Sequence, residues 1–481
     1  MTSSNLAFSE QSAVTDLQGI LCRQRDSFKQ QSTPDMDTRL NRVMRCVDFM
    51  LECQDAIVNA TVADWKHKPA DFIKAVEIIP VINHAKHIKK NLKKWMMDDK
   101  RSPDFPFNVV GAKAYVRWQP LGVVGVMVPW NGPLAMAMVA AMDAFSAGNR
   151  VMIKVSEFSP ATAQFMADTL PNYFDETELA VVLGEVEVSR AFAELPFDHL
   201  MYTGSAGTAK HIMAAAAKNL TPVTLELGGK SPVFIADDAD LDFAAQRVAS
   251  GRLINAGQAC IGADYVLVPK AKLKTFSDKV VAAIQTMYPC ENGATDYASI
   301  ATDTHYKRMH ALLDDARKHG CEIIQVDVAA NADLRQFTPT IVVNPPKESR
   351  LMQEEVFGPI LILTEYDNLQ SAINRVNDGE RPLALYYFGK NKQGQQHVLN
   401  QTISGGVAIN EVMMQLSQSN LPFGGVGHSG MGSYWGGDAG FKRFSHARSV
   451  FEQGWFNKIA AMLDPPYGAN IQKVLKMQLK K

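Results

Sequence analysis

Cys260 is the residue of this chain whose type and surroundings are best suited to covalent chemistry. It lies in a short loop after a predicted helix, and its neighbours are glycine and other small residues that leave room for a substrate. A thiolate is a strong nucleophile, and covalent capture of a substrate divides one difficult step into two. The alternative is a buried structural thiol, the usual state of a free cysteine. Alone, Cys260 is compatible with both roles.

Glu226 and Asn131 have the chemistry to assist such a thiol. Glu226 ends an apolar strand pattern before two glycines, where a buried carboxylate is costly unless it has a partner. We expect it to act as a general base or, alternatively, to form a core salt bridge with Lys230. Asn131 lies between a strand pattern and a helix, so its amide either caps that helix or donates to a developing oxyanion.

The elements that must position these residues alternate between strand and helix patterns. The first set runs from Gly122 to Leu227 and includes a helix predicted at Pro133–Ala147. Short apolar runs that alternate with helices predict a parallel, doubly wound sheet, which binds dinucleotides at the carboxyl ends of its strands. A second α/β unit is predicted to follow. A strand predicted at Lys113–Gln119 is expected to pair either with the late chain or with another subunit.

The composition argues against several classes of protein. A hydrophobic fraction of 46% and a net charge of -1 describe an ordinary globular chain without an electrostatic footprint for nucleic acid or an anionic membrane. The uncharged run from Leu121 to Met142 contains Pro129 and Pro133, which predicts a strand, a turn and a helix rather than a membrane span. Six cysteines without metal-binding spacing, and no signal peptide, predict a reducing, cytoplasmic environment and no metal.

Seven motifs along the chain resemble those of the aldehyde dehydrogenases and occur in the order found in that family. They cover nearly the whole chain, and the interval between Glu226 and Cys260 also matches. Each motif is weak to moderate alone, but their common order argues strongly against coincidence. The motifs are Pro129-Trp-Asn, Lys154-Val-Ser-Glu157, Thr203-Gly-Ser205, Leu225-Glu-Leu-Gly-Gly-Lys230, Gly257-Gln-Ala-Cys260, Glu354-Glu-Val-Phe-Gly-Pro359 and Leu421-Pro-Phe-Gly-Gly-Val-Gly.

The resemblance implies a catalytic role for each of the three residues. Cys260 would attack the aldehyde carbonyl, and the Asn131 amide together with the Cys260 backbone N–H would hold the oxyanion of the thiohemiacetal. Oxidation by a nicotinamide cofactor would leave a thioester on Cys260. Water activated by Glu226 would then hydrolyse the thioester, so the expected product is a free carboxylic acid.

The resemblance also implies where a nicotinamide dinucleotide would bind. Lys154 and Glu157 resemble the pair that binds the adenine-side ribose. A carboxylate there repels a 2′-phosphate, so NAD is expected to be preferred, with NADP still compatible. Gly204 and Ser205 are expected to place the pyrophosphate at a helix N-terminus, although an ordinary strand-to-helix turn has the same sequence. The other implied cofactor-binding residues are Trp130, Glu355 and Phe357, and for Glu355 the alternative is a solvated acidic pair with Glu354.

Within the family, the chain most resembles the short class-3 type and its bacterial coniferyl aldehyde dehydrogenases. This implies a homodimer, an aldehyde substrate and the family's fold, in which a Rossmann-like doubly wound NAD-binding domain joins a second α/β catalytic domain and a small β element for bridging and oligomerisation. The predicted units are 1–226 for N-terminal helices and the dinucleotide-binding domain, with a bridging strand at about 111–120, 227–410 for the catalytic domain, and 411–481 for a C-terminal segment that returns to the cofactor domain and the oligomer interface.

Three departures from the family pattern leave substrate choice and cofactor pose open. They are Gly132 in place of a common Phe, Val155 in place of Pro, and Ala209 where Gly is frequent. A medium- or long-chain fatty aldehyde would suit an apolar pocket as well as coniferyl aldehyde does. A CoA-acylating dehydrogenase would release its thioester to CoA and would not need Glu226. A non-enzymatic scaffold would need neither the thiol nor the base.

Overall fold

The computed structural model describes residues 3–289, 295–456 and 458–479. Its first part is helical, as the spacing of apolar residues predicts. A short strand follows the helices and pairs with the strand after it. A π-helical turn at Lys74–Ile78 lies between the fourth and fifth helices. These elements are α1 (Ser3–Gln30), α2 (Met36–Glu52), α3 (Gln54–Trp65), α4 (Ala70–Ile73), α5 (Ile79–Trp95) and β1 (Asp99–Arg101).

The next part of the chain alternates between strands and helices, as predicted. Except for the first, its strands are almost entirely buried, which explains why they are mainly continuous apolar runs rather than alternating ones. The elements are β2 (Lys113–Pro120), β3 (Val123–Met127), α6 (Pro133–Ala147), β4 (Arg150–Lys154), α7 (Pro160–Thr169), β5 (Leu179–Val182), α8 (Val186–Ala193), β6 (His199–Thr203), α9 (Ala206–Ala217) and β7 (Val223–Glu226).

A second alternating set follows. Its elements are β8 (Pro232–Ile235), α10 (Leu241–Leu253), β9 (Tyr265–Pro269), α11 (Leu273–Met287), α12 (Asp303–Lys318), β10 (Glu322–Gln325), β11 (Thr340–Val343), α13 (Arg350–Gln353), β12 (Ile360–Tyr366), α14 (Leu369–Asn377), β13 (Ala384–Phe388), α15 (Lys392–Gln401) and β14 (Gly406–Ile409). The chain ends with β15 (Gly430–Met431), α16 (Ala439–Arg443), β16 (Ser445–Glu452) and α17 (Ala469–Gln478).

Three sheets organise these strands. The first has six strands in the order β15-β7-β6-β3-β4-β5, and only β15 is antiparallel to its neighbour. The chain moves outward from β3 through β4 and β5 and returns to β6 on the other side of β3. The crevice between β3 and β6 is therefore the topological switch point, where dinucleotides bind in such sheets.

The second sheet has seven strands in the order β10-β11-β12-β9-β8-β13-β14, parallel except for β10. The third is antiparallel, in the order β1-β2-β16. Strand β2 pairs with β16 along its full length, so the strand predicted near residue 113 pairs with the late chain. The boundaries predicted at residues 226 and 410 stay predictions.

The uncharged run that resembled a membrane span forms the centre of the first sheet. It supplies β3 and most of α6, and every residue of α6 except Met136 is buried. Its polar backbone groups are paired in the sheet and the helix. Across the described residues, the structure has no helix that combines the length and the apolar character needed to cross a bilayer.

Candidate active site

The carboxyl edge of the first sheet gathers most of the predicted site residues. Each lies at the end of a parallel strand or directly after it, because these strands all end on the same edge of the sheet. Trp130 and Asn131 follow β3, Lys154 ends β4 with Glu157 shortly after, Gly204 and Ser205 follow β6, and Glu226 ends β7.

Cys260 lies on a loop of the second unit whose backbone is unusually constrained. Three consecutive residues before it are left-handed, with φ of 53° at Asn255, 50° at Ala256 and 77° at Gly257. A Cβ at Gly257 would lie 2.2 Å from the carbonyl oxygen of Gly358, so only glycine fits there. A left-handed backbone of this kind is strained, so it persists only where neighbouring contacts hold it in place. Strained residues of this kind are concentrated at active sites.

The side chain of Gln258 makes many of the contacts that hold this backbone in place. Its buried Nε2 donates to the backbone oxygens of Asn255 at 2.9 Å and Ser299 at 3.0 Å. Its Oε1 accepts the backbone N–H of Ala301 at 2.9 Å. Through both its nitrogen and its oxygen, the Gln258 amide thus links the thiol loop to residues 299–301. Gln258 belongs to the motif that carries Cys260, but its role could not be predicted because nothing local marks a glutamine as buried.

The Asn131 amide faces the same loop. Its Nδ2 donates to the backbone oxygen of Gln258 at 3.1 Å, two residues before the thiol. The N-cap of α6 is Gly132, and no side chain of the cap residue bonds the helix. The helix-capping role considered for Asn131 is therefore wrong, and one of its two amide hydrogens remains available beside Cys260.

Glu226 is buried, and its exposed fraction is 1%. Its Oε1 has no hydrogen-bond partner in the described chain. The salt bridge considered with Lys230 is wrong, because Lys230 pairs with Asp264 instead. Burial raises the pKa of Glu226 to about 8, and a hydrogen bond from the Cys260 thiol opposes that rise. Glu226 is thus a carboxyl group poised to exchange protons near neutral pH.

Burial also raises the pKa of the Cys260 thiol above its usual value, and the negative charge of Glu226 raises it further. The backbone N–H of Cys260 acts in the opposite direction, because it faces the sulfur and favours the thiolate. The thiol therefore keeps its proton beside an oxygen of Glu226, and Glu226 becomes a carboxylate able to accept that proton as the pH approaches about 8.

Glu355 approaches this pair from the other side. Its carboxylate occupies space that only a glycine leaves open, since a Cβ at Gly228 would lie 2.0 Å from its Oε2. Burial raises the pKa of Glu355 to about 8. The alternative of a solvated acidic pair is wrong for Glu355. Glu354, which was not assigned a role, forms surface-side ion pairs with Arg308 and Arg350.

Charged side chains hold the loop that carries Glu355. Lys230 donates to the backbone oxygens of Leu351 at 2.6 Å and Glu354 at 3.0 Å. Arg308 donates to the oxygen of Glu355 at 2.6 Å and that of Val356 at 2.7 Å. The carboxylate of Asp264, paired with Lys230, accepts the Val356 N–H at 2.9 Å. Sequence analysis missed Arg308 and Asp264 because their targets are backbone atoms far away in the chain.

A cleft of about 680 Å³ opens along the switch point of the first sheet. Its walls include all of the predicted adenosine- and phosphate-side residues. They are Lys154, Glu157, Gly204 and Ser205, and Trp130 also lines the cleft.

Two features of the cleft fit a dinucleotide. Lys154 is 2% exposed, and its Nζ bonds the backbone oxygen of Val155 at 2.6 Å but forms no ion pair within the described chain. A buried cation in that state is ready to donate to ribose hydroxyls. Ser205 caps α9 by accepting the Thr208 N–H at 3.2 Å, which places a helix N-terminus at the cleft.

Aromatic rings close the cleft on the side of the thiol. Trp130 lies 4.8 Å from the ring of His305 and 5.4 Å from that of Phe357, between ring centroids. Phe357 is itself left-handed, with φ of 47°. His305 lines the cleft, and sequence analysis did not select it because no motif contains it. Described residues contain no group of three or more His, Cys, Asp or Glu side chains arranged to hold a metal.

Comparison with known proteins identifies the family. A model of the aldehyde dehydrogenase family matches residues 1–450. The chain belongs to the aldehyde dehydrogenase family. Its reaction class is therefore the oxidation of an aldehyde with NAD or NADP, and the resemblance predicted from its motifs is confirmed.

Individual relatives of this aldehyde dehydrogenase span bacteria and mammals. It is 42% identical over 473 residues to a probable coniferyl aldehyde dehydrogenase of Pseudomonas aeruginosa, with 98% of both chains covered. A coniferyl aldehyde dehydrogenase of Pseudomonas sp. is 41% identical, with 95% of both chains covered. Aldehyde dehydrogenase family 3 member A2 of Mus musculus is 36% identical, and the match covers 90% of this chain and 87% of that one.

Solved structures confirm the predicted fold. The substrate-bound AldH of Staphylococcus aureus superimposes with a TM-score of 0.89 at 31% identity, over 96% of this chain and 99% of that one. A mutant of the P. syringae indole-3-acetaldehyde dehydrogenase AldA, in complex with NAD+, superimposes with a TM-score of 0.82 at 25% identity, over 92% and 89% of the two chains.

The three departures from the family pattern have different surroundings in this dehydrogenase. Gly132 has extended backbone, and a Cβ built on it would meet only Glu77 Oε1, at 3.9 Å. The position therefore has room for a side chain that this chain lacks. Val155 and Ala209 are buried, and Val155 contributes its backbone oxygen to Lys154.

Proposed function

We propose that this dehydrogenase oxidises its aldehyde through a thioester on Cys260, with Asn131 as the oxyanion donor and Glu226 as the base. The observation that carries the proposal is the convergence of these three groups from separate elements. Asn131 bonds the loop of the thiol, and Glu226 accepts a hydrogen bond from the thiol itself. Nucleophile, base and donor within reach of one another are the signature of acyl-transfer chemistry.

Attack requires the thiolate, and Glu226 is the group that takes the proton. The sulfur then bonds the carbonyl carbon, and the carbonyl oxygen becomes an oxyanion. The free amide hydrogen of Asn131 and the backbone N–H of Cys260 donate to that oxyanion. An oxyanion donor of this kind contributes roughly 3 to 4 kcal/mol to transition-state stabilisation.

The cofactor, when bound, supplies the two-electron oxidation that converts the thiohemiacetal into the thioester. Lys154 and Glu157 would hold its adenine-side ribose, and Gly204 and Ser205 would hold its pyrophosphate. Glu355 and Phe357 would hold its nicotinamide half, and Trp130 would contact the cofactor within the cleft. Because Glu157 would repel a 2′-phosphate, NAD is the proposed cofactor in preference to NADP.

Glu226 acts a second time in the release of the product. Once the proton taken from the thiol has passed to solvent, its carboxylate accepts a proton from water and the resulting hydroxide oxygen bonds the thioester carbon. The carbon–sulfur bond then breaks, and the leaving sulfur takes the proton back from Glu226. The products are a carboxylic acid and the free Cys260 thiol. A CoA-acylating enzyme would not need this base, so the buried Glu226 favours water as the acceptor.

Coniferyl aldehyde is the proposed substrate. Two relatives with 41% and 42% identity carry that substrate in their names. Gly132 stands where the family commonly has Phe, and the missing side chain would enlarge the pocket near Asn131. A medium- or long-chain fatty aldehyde is the second candidate, since an apolar pocket separates close analogues by only about 1 to 3 kcal/mol.

A homodimer and a reducing, cytoplasmic location complete the proposal. Strand β16 is the outer strand of its sheet, and Phe451 in it is 53% exposed while Trp455 just beyond is 80% exposed. An unpaired strand edge with exposed aromatic side chains at its end favours pairing with a second copy. The described cysteines are free, which suits a thiol nucleophile in a reducing compartment, and Cys290 lies outside the described residues.

Reduction of NAD or NADP by the purified enzyme, recorded across coniferyl, benzyl and C6–C12 aldehydes, tests cofactor and substrate together. We expect the highest kcat/KM with NAD and coniferyl aldehyde. A higher value for the fatty aldehydes would select the second substrate class. Product analysis with and without CoA tests the acceptor, and an acyl-CoA product would contradict hydrolysis.

A further inference from the structure

Two oppositely charged side chains are buried behind the Asn131 turn, and the reaction described above uses neither. Glu77 is fully buried, and Lys68 is 2% exposed. Glu77 Oε1 and Lys68 Nζ have no hydrogen-bond partner within the described chain. Lys68 attracts Glu77 and opposes the burial cost that raises the pKa of this carboxyl group. A buried pair with unused polar atoms is expensive, so its location calls for an explanation.

The other oxygen of Glu77 binds the start of α6. Oε2 accepts the backbone N–H of Ala135 at 2.7 Å, and the N–H of Leu134 also bonds this carboxylate. These are orphan donors of the first helical turn, which the cap residue Gly132 cannot satisfy because it has no side chain. A carboxylate at this end is also favoured by the helix dipole. Glu77 therefore acts as a cap supplied from elsewhere in the fold.

The capped turn is continuous with Asn131. Helix α6 begins at Pro133, so only Gly132 separates the helix from Asn131. A Cβ at Gly132 would lie 3.9 Å from Glu77 Oε1, which places the carboxylate against that residue. On the opposite side, the Asn131 amide bonds the thiol loop. The oxyanion donor is thus held between the Glu77 carboxylate and the loop of Cys260.

Lys68 connects the pair to the other neighbour of Asn131. Its Nζ lies 4.2 Å from the ring centroid of Trp65, and Trp65 packs against Trp130 with centroids 5.8 Å apart. The π-helical turn Lys74–Ile78 carries Glu77, and such turns are frequent at functional sites. Both residues that flank Asn131 are therefore supported by this one buried pair.

We propose that Glu77, held opposite Lys68, is a positioning residue for the oxyanion donor Asn131. This inference rests on the role proposed for Asn131. Glu77 touches neither substrate nor cofactor, and it acts by fixing the start of α6 and hence the direction of the amide. A displacement of about 1 Å at a reacting group can cost on the order of a hundredfold in rate.

A double-mutant cycle tests the inference with kcat at saturating NAD and aldehyde. Asn131→Ala should lower kcat by roughly 10² to 10³. Glu77→Ala should lower it by roughly 10 to 100, and the double variant should match Asn131→Ala within about threefold, because Glu77 has nothing left to position. Glu77→Gln, whose amide oxygen can still accept from Ala135, should recover most of the loss.

Asp64→Ala is the matched control. Asp64 also lies in the N-terminal helices. It caps α7, a helix beside the same sheet, by accepting the N–H groups of Ala161 at 2.8 Å and Thr162 at 2.9 Å. It should lower the stability to urea as Glu77→Ala does, yet change kcat by less than about threefold.

The outcomes separate two kinds of failure. Full activity of Asn131→Ala would contradict the proposed mechanism itself. Losses that multiply in the double variant, or an effect of Glu77→Ala no larger than that of Asp64→Ala, would overturn the positioning role alone. If Glu77→Ala does not fold, the same cycle with Glu77→Gln decides, since a several-fold loss that vanishes on the Asn131→Ala background is expected.

Discussion

Two loops meet at the reacting thiol, and they are stabilised in different ways. The thiol loop, residues 255–260, combines three left-handed residues with a network of neutral amides. The cofactor loop, residues 354–358, is held by charged side chains that bond its backbone. The amides are Asn131, Asn255 and Gln258, and the charged groups are Lys230, Asp264 and Arg308.

The difference follows from what each loop must do. During the reaction, negative charge develops on the sulfur and on the carbonyl oxygen and then disappears. A fixed ion beside these atoms would stabilise some of the reaction's states and destabilise others. Amides orient the thiol loop without adding net charge. The backbone of the cofactor loop is held by charge-assisted hydrogen bonds, which supply more binding strength per contact. We therefore expect rate to depend chiefly on the first loop and cofactor affinity on the second.

Removal of the thiol should have the largest effect. Cys260→Ala should lower aldehyde oxidation by on the order of 10⁴ or more, because no other group can form the thioester. NADH absorbance with a saturating aldehyde measures this loss, and NADH binding by fluorescence should be unchanged because the cofactor loop is intact. Turnover that survives the substitution would rule out a thioester on Cys260.

Glu226→Gln should come next, with a loss of roughly 10² to 10⁴ in steady-state rate, because only the base is removed. Rapid mixing should still show a burst of NADH, but a slower one than in the wild type, because the thiol must lose its proton to solvent instead of to Glu226. In the wild type, the steady-state rate should rise with pH up to about 8, where the Glu226 carboxyl ionises. Absence of a burst would indicate that Glu226 acts mainly on the thiol.

The same group predicts the pH dependence of stability. The pKa of Glu226 is raised from 4.5 to about 8 in the folded protein, so the folded state holds the proton more tightly. The contribution of this carboxyl group to the free energy of unfolding is therefore fully present below pH 4.5 and is lost as the pH rises to about 8. Urea unfolding of Glu226→Gln should therefore show a weaker fall in stability over that window than the wild type. Parallel curves would contradict the assignment.

Gln258→Leu tests the neutral network. It removes three hydrogen bonds of the thiol loop, so kcat should fall by roughly a hundredfold through misplacement of the thiol. Stability should fall by about 1 to 3 kcal/mol, because buried backbone groups lose their partner. NADH affinity, measured by fluorescence, should stay within twofold or so. A loss confined to cofactor affinity would reverse the roles of the two loops.

Asp264→Asn tests the charged network and should have the smallest effect on rate. It leaves Lys230 without its counter-charge beneath the cofactor loop, so the Kd for NADH should rise by about tenfold. Stability should fall by roughly 3 to 5 kcal/mol, more than in Gln258→Leu, because a buried charge becomes unpaired. Gln258→Leu should thus lose more kcat than Asp264→Asn, and Asp264→Asn should lose more stability than Gln258→Leu. The same order in both measurements would show that the loops share one function.

Much of the fold was predictable because its signals are local. The helix Pro133–Ala147 was predicted at its observed bounds. The short strand β1 was not, because three polar residues become a strand only when β2 offers its edge. The departures at Gly132, Val155 and Ala209 were visible in the sequence, but the space around each was not.

The candidate site divides in the same way. Cys260 and Glu226 were predictable from their residue types and their place in ordered motifs. Gln258, Glu77 and Arg308 were not, because each acts on backbone atoms that carry no signature in the sequence. For Asn131 and Glu226, the sequence left two roles open. The helix cap is excluded for Asn131 because Gly132 is the N-cap residue, and the salt bridge is excluded for Glu226 because Lys230 pairs with Asp264.

The sequence by itself determined the order of strands and helices, the chemistry available at the strand ends, and through its motifs the family. These follow from periodicity and from spacing along the chain, which are local properties. Tertiary structure decided which groups meet: Asn131 with the loop of Cys260, Glu77 with α6, and Asp264 with Lys230. These contacts join residues tens to more than a hundred positions apart, and their energies depend on burial and on distances that exist only once the chain has folded.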